Sequence, residues 1–187
     1  MTTKIENIVA SVILNQRLDL DEIAFTIPNV EYDPGGFPGL VYRLRKPKTA
    51  TLIFSTGKMV CTGTKSEKEV KRAVRKIVKS LNKAGIRMRG RPAITIQNVV
   101  ACGSLGVPVD LERAVMTLEN SMYEPEQFPG LVYRLKDPKA VVLIFGSGKI
   151  VIVGAKCEEQ VPKVARRVMD RLLELDLMWT RDVEEDG

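Results

Sequence analysis

Histidine is absent from this 187-residue chain. That omission removes the Ser-His-Asp and Cys-His nucleophile designs and every His-containing metal site. Cys61, Cys102 and Cys157 stand too far apart for a thiolate zinc site, which wants four ligands in close pairs. Asp and Glu are scattered, so the chain is expected to be no enzyme and to need no cofactor or metal. What remains is contact chemistry, and its candidates come in pairs. Phe37 and Phe54 answer to Phe128 and Phe145, Asn7 to Asn98, Arg43 to Arg134, Lys58 to Lys149 and Lys65 to Lys156. Rigid apolar rings suit wedging between stacked base pairs. Asn carries donors and an acceptor, matching the acceptor-only edge of A·T pairs in a minor groove. Arg and Lys meet phosphates. Blander uses exist for each: a loop Phe also packs locally, and paired cations also serve as solvated strand edges.

The pairing has one cause, a tandem repeat. FPGLVYRL begins at Phe37 and again at Phe128, and the same offset relates every pair above. Residues 5–82 align with 96–173 without a gap, at 33 identities in 78 positions. The expected organisation is a first repeat at 1–91 and a second at 92–187, the latter ending in a short acidic tail. A copy of about 90 residues is marginal for a core of its own, so the two are expected to share one sheet or core.

Charge divides the copies. Residues 1–91 hold 18 Lys/Arg against 8 Asp/Glu, a net of +10, and residues 92–187 hold 11 against 15, a net of −4. A basic half suits a polyanion and an acidic half a basic protein partner. The unclustered cysteines fit a reducing compartment. The start MTTKIENIVASVIL is too short and too polar at its head for a signal peptide, and no apolar run approaches about 18 residues. A soluble, intracellular protein without a membrane partner is expected.

Each copy reads as strand, helix, several strands and a long helix. Ile5–Leu14 is an unbroken β-branched run, and Leu18–Ile27 is a short helix stopped by Pro28. Strands follow at about Leu40–Leu44, Thr51–Ser55 and Met59–Thr62, separated by Lys46-Pro47-Lys48 and Thr56-Gly57-Lys58, as in antiparallel hairpins. Ser66 and Glu69 form a capping-box pattern that opens a helix through Ala84. Pro162 delays the matching helix to Gln160 or Val161. This is an α+β arrangement, an antiparallel sheet with helices on one face.

Alternation puts Ile8, Ala10 and Val12 on one side of the first strand and Asn7, Val9 and Ser11 on the other. Two helices per copy cover one side. The other would show Val9, Leu52, Phe54 and Val60 with Asn7, Ser11 and Thr62, apolar and almost uncharged. Monomeric soluble proteins rarely leave such a patch without a partner. The pattern also fits a sheet buried on both sides, in a three-layer fold or a tight dimer, and a duplicated module whose apolar face docks another protein.

IENIVASV and IQNVVACG, YDPGGFPGLVYRL and YEPEQFPGLVYRL, LIFSTGKMVCTGTK and LIFGSGKIVIVGAK resemble the two direct repeats of the TATA-box-binding protein family, in its archaeal form. The resemblance runs from Ile5 to Leu175. It implies a saddle: a curved antiparallel ten-stranded sheet with four helices on the convex face. It implies a general transcription initiation factor that binds a TATA-box promoter element through the minor groove, bends it, and recruits transcription factor B and RNA polymerase. This family is itself the type case of minor-groove wedging, so that mechanism belongs to the resemblance.

Residue by residue, the resemblance makes Phe37, Phe54, Phe128 and Phe145 intercalators. It gives groove contacts to Asn7, Asn98, Val9, Val100, Leu52, Leu143, Val60, Val151 and Thr62. Phosphate contacts fall to Arg43, Arg134, Lys58 and Lys149, with Thr56 and Ser147 assisting. Glu124, Glu126 and Gln127 lie in the loop that receives factor B. Val153 stands where a counterpart of Thr62 is expected, so one central polar contact is missing. The basic helix Ser66–Ala84 is expected on the convex back, meeting a regulator or remote DNA. A nucleoid-associated location in an archaeal cell and a homodimer that hides the apolar face in the absence of DNA complete the expectations.

Overall fold

A computed structural model describes residues 1–179; the acidic tail lies outside the described residues. Ten strands and four helices are formed there, in an α+β fold. In chain order they are β1 (Thr2–Ile13), α1 (Leu20–Thr26), β2 (Val30–Glu31), β3 (Leu40–Arg45), β4 (Lys48–Ile53), β5 (Lys58–Thr64) and α2 (Glu67–Lys83). The second set is β6 (Ala93–Ser104), α3 (Leu111–Thr117), β7 (Ser121–Met122), β8 (Gly130–Lys136), β9 (Lys139–Phe145), β10 (Lys149–Ala155) and α4 (Gln160–Glu174). The chain forms two compact units, Glu6–Val99, and Met1–Ile5 with the described residues from Val100 on, so both β1 and β6 contribute to each.

In the unit Glu6–Val99 the strand order is β2-β3-β4-β5-β1-β6, with antiparallel ladders from β2 to β1. Asp19 caps α1 by accepting from the Glu22 N–H, and Ser66 caps α2 by accepting from the Glu69 N–H. Glu69 completes the cap by accepting from the Lys65 N–H. The apolar row Val70, Ala73, Val74, Ile77 and Leu81 is buried as α2 packs on β5. Beneath it lie Ile8, Ala10, Val12, Leu40, Ile53, Met59 and Cys61, all fully buried. Burying each of the Ile, Val, Leu and Met side chains among them is worth about 1.5–3 kcal/mol. The Tyr42 hydroxyl, 3.0 Å from the Ser80 hydroxyl, ties β3 to α2.

The other unit runs β1-β6-β10-β9-β8-β7, antiparallel from β10 to β7. Its core is Leu131, Val142, Ile144, Ile150 and Ile152 under Val161, Val164, Ala165, Val168 and Leu172 of α4. Helix α4 starts at Gln160, two residues before Pro162, where a proline's missing N–H costs nothing. Gly103 lets β1 and β6 close up here, since a Cβ on it would stand 2.6 Å from the Thr2 carbonyl oxygen.

Several boundaries differ from expectation. Strand β1 starts at Thr2 instead of Ile5. Strand β4 runs Lys48–Ile53 instead of Thr51–Ser55, because the turn at Lys46-Pro47 is tight enough for Arg45 and Lys48 to pair at once. The two-residue strands β2 and β7 carry no pattern by which to expect them.

Candidate nucleic-acid interface

In each unit the side of the sheet turned away from the helices is built in cross-strand rows. In the first, Val41, Leu52, Val60 and Ser11 lie abreast on β3, β4, β5 and β1, followed by Arg43, Ala50 and Thr62. In the second, Val132, Leu143 and Val151 lie abreast, followed by Arg134, Val141 and Val153. All except the exposed Arg43 and Arg134 are half-buried, whereas their strand neighbours Leu40, Ile53, Met59, Cys61, Ile144 and Ile152 are fully buried. In each unit the second of these rows thus ends in an arginine beyond apolar ground. Val9 and Val100 alternate with buried Ile8, Ala10, Val99 and Ala101 and so belong to the same faces.

Phe37 and Phe54 meet edge to face with ring centroids 6.0 Å apart at an interplanar angle of 67°, and Phe128 and Phe145 meet at 5.9 Å and 66°. Such contacts fix both rings. Each loop ring is aimed by a turn. Phe37 N–H donates to the Asp33 carbonyl at 2.9 Å, and Phe128 N–H to the Glu124 carbonyl at 2.9 Å. Even so, Phe37 stays 42% and Phe128 39% exposed. An apolar ring held rigid in water has surface to offer a partner.

Asn7 is oriented by its neighbours. Its Oδ1 accepts from the Gly63 N–H at 2.8 Å, which turns Nδ2 toward the Thr62 hydroxyl at 3.2 Å and leaves the second amide proton without a partner among the described residues. Asn98 shares its chain position in the second copy, where Val153 replaces Thr62. The Thr56 hydroxyl accepts from the Lys58 N–H and that of Ser147 from the Lys149 N–H, each at 3.4 Å, so both hydroxyl protons are free to donate outward. Arg43 pairs with Glu31 at 3.2 Å, both side chains being exposed. Glu124, Glu126 and Gln127 are exposed in the Phe128 turn.

Sequence reasoning missed Val41, Val132, Ala50, Val141 and Cys102 on these faces, whereas Ser11 lies where alternation puts it. The alternation rule reaches all five once ladder register is known. Gly39 and Gly130 were also missed: a Cβ on either would meet the rings at 2.6 or 2.7 Å. Among the described residues no cluster of three His, Cys, Asp or Glu is placed to hold a metal, and no helix is long and apolar enough to cross a membrane.

A duplicated α+β protein with an apolar, cation-edged sheet face and two aromatic pairs is a binding protein by its architecture. The chain belongs to the family described as transcription factor TFIID, or TATA-binding protein: residues 2–84 and 93–175 each match the family model. That family consists of transcription factors and not of enzymes. The TATA-box-binding protein of Sulfurisphaera tokodaii is 54% identical over 181 residues, covering 97% of this chain and 91% of the relative. That of Pyrodictium occultum is 57% identical over 174 residues, covering 93% and 87%. The solved structure of Methanococcus jannaschii TBP superposes with a TM-score of 0.86 at 49% identity, covering 93% of this chain and 99% of that one. The ten-strand, four-helix fold inferred from the resemblance is therefore the fold of this chain.

Proposed function

We propose that this protein is a general transcription initiation factor that binds a TATA-box element of duplex DNA through its minor groove. Its two repeats, 1–91 and 92–187, each apply one sheet face to the groove. The observation that carries the reading is the pair of edge-to-face phenylalanine contacts at the margins of apolar faces. On this reading the four rings wedge between base pairs and bend the duplex. Bending costs on the order of a few kcal/mol. Apolar burial at about 25 cal/mol per Å² offsets it. Asn7, Asn98 and Thr62 meet base-edge acceptors, while Val9, Val100, Leu52, Leu143, Val60 and Val151 fill the groove floor. Arg43, Arg134, Lys58, Lys149, Thr56 and Ser147 hold phosphates.

Glu124, Glu126 and Gln127 form the landing site for transcription factor B, through which RNA polymerase is recruited. The protein works at the nucleoid, and free of DNA it pairs into a homodimer that shields the apolar faces. Binding to a TATA duplex and to a G·C-rich control across a salt series tests the reading. Preference for the TATA duplex that persists at moderate salt is expected, because phosphate contacts alone weaken steeply with salt. Equal affinity for both duplexes would refute it.

A further inference from the structure

Gln16 is the hub of an arrangement that the sheet interface does not use. Its Nε2 donates to the Arg87 carbonyl at 3.1 Å, and its Oε1 accepts from the Arg89 N–H at 2.7 Å. One amide thus holds the segment after α2 as a neighbouring strand would. From the other side, the Met88 N–H donates to Asn82 Oδ1 at 2.9 Å. The same loop is bound to the β4–β5 turn: the Leu14 N–H donates to the Gly57 carbonyl and the Leu18 N–H to the Ser55 carbonyl, at 3.0 and 2.8 Å. Gly57, at φ +85°, is pressed so close that a Cβ would stand 2.0 Å from the Gln16 carbonyl oxygen. That turn carries Thr56 and leads into Lys58.

Between these segments lies an open hollow of about 770 Å³ lined by Asn15, Gln16, Arg17, Ile86, Arg87 and Arg89, among others. No carboxylate lines it, and none of its three guanidinium groups has an ion-pair partner among the described residues. The second copy keeps the scaffold and drops the charge. Gly148, at φ +85°, presses on the Val107 carbonyl in the same way, but Val107, Pro108 and Met178 occupy the places of Gln16, Arg17 and Arg87. There the returning chain docks directly, through a Val109–Met178 bridge and a hydrogen bond from the Trp179 N–H to the Pro108 carbonyl.

We propose that Arg17, Arg87 and Arg89 form a phosphate-binding site for duplex DNA beyond the groove-bound element, on the flank next to the first repeat. The proposal rests on the DNA-binding reading above. Three unpaired guanidinium groups repel one another, and their forked donors match phosphodiester oxygens. Their tether to the turn of Thr56 and Lys58 makes them a continuation of that phosphate row. Their absence from the second copy makes the contact one-sided.

The test compares the wild type with the triple variant Arg17→Gln, Arg87→Gln, Arg89→Gln, on a minimal TATA duplex and on one extended by about ten base pairs at both ends. Each phosphate contact contributes about 0.9 to the slope of log affinity against log salt. The slope on the extended duplex should fall by about two to three in the variant, with none of that loss on the minimal one. Hydroxyl-radical protection of one flank should vanish with it. An unchanged slope and footprint on the extended duplex would overturn the site. If the triple variant melts early, Arg89→Gln alone carries the test, with a slope loss of about one expected and none overturning it. Loss of wild-type discrimination between TATA and G·C-rich duplexes would instead sink the reading beneath the site, so the two failures are distinguishable.

Discussion

Gly130 and Phe128 fix each other: a methyl group on Gly130 would lie 2.7 Å from Phe128 Cε1 and 3.1 Å from Phe145 Cε1. The ring pair therefore exists in its edge-to-face form because residue 130 has no side chain. Gly39 repeats the relation with Phe37 and Phe54 at 2.6 and 3.0 Å. Gly130→Ala should displace the Phe128 ring while costing little stability, since a ring edge yields more readily than backbone. Fluorescence-transfer bending assays should show reduced bending for Gly130→Ala and nearly none at that end for Phe128→Ala with Phe145→Ala. The double variant should lose about thirtyfold or more in affinity, as truncating even one aromatic anchor costs about 2 kcal/mol or more. Unchanged bending would remove intercalation from the mechanism.

Asn7 acts through a fixed amide orientation. The Gly63 N–H holds Oδ1, so the donor end is the one available to an acceptor on a base edge. Asn7→Asp keeps the acceptor for Gly63 but replaces the donor with negative charge. Affinity for the TATA duplex should fall about tenfold or more, consistent with about 1–3 kcal/mol for a base-edge contact. Asn7→Ala also removes the bond that the exposed Gly63 N–H makes, and its melting temperature should drop in line with about 1 kcal/mol at most. An Asp variant with full affinity would exclude Asn7 from the groove.

Much of this design is legible without coordinates, and the reason is the duplication. The offset that links Phe37 to Phe128 also separates residues kept in both copies from residues free to diverge. Alternation then assigns Ile8, Ala10 and Val12 to the helix side and Asn7, Val9 and Ser11 to the open side, as burial bears out. The illegible part depends on register and close approach. That Val41 stands abreast of Leu52 and Val60 follows from the tight β3–β4 turn, which starts β4 at Lys48. That Gln16 spans to Arg87 and Arg89 joins residues more than 70 apart through one side chain, and no periodicity encodes it.

The cysteines give a chemical probe of the open face. Cys102 is exposed on β6 and shares its alternation with Asn98 and Val100, whereas Cys61 is buried between β1 and β4. Burial pushes the Cys61 thiol up, so less of it is thiolate at mildly alkaline pH. Iodoacetamide should modify Cys102 first, with Cys61 reacting only on unfolding. Bound TATA duplex should protect Cys102, and prior alkylation should weaken DNA binding. The raised Cys61 value also fixes a sign. Its contribution to stability is complete below the ordinary thiol range near 8.5 and declines as pH rises above it, because the unfolded chain ionises first. Thermal melts between pH 8 and 10 should decline less steeply for Cys61→Ala than for the wild type.

Glu124 separates two duties that the loop before β8 combines. Its backbone carbonyl accepts from the Phe128 N–H at 2.9 Å and from the Gln127 N–H at 3.0 Å, which sets the turn that aims the ring. Its side chain, like that of Glu126, is exposed and takes no part in that geometry. Replacing both carboxylates by Arg therefore leaves the carbonyl anchor in place while reversing the charge shown to a basic partner. Affinity for the TATA duplex should stay within about twofold, or rise slightly at low salt as two cations are added. Recruitment of factor B to the preformed DNA complex, read by gel shift, should weaken about tenfold or more, since like charges across an interface cost several kcal/mol. Undiminished recruitment would move the factor B site elsewhere, and a parallel loss of DNA bending would mean that the turn itself had changed.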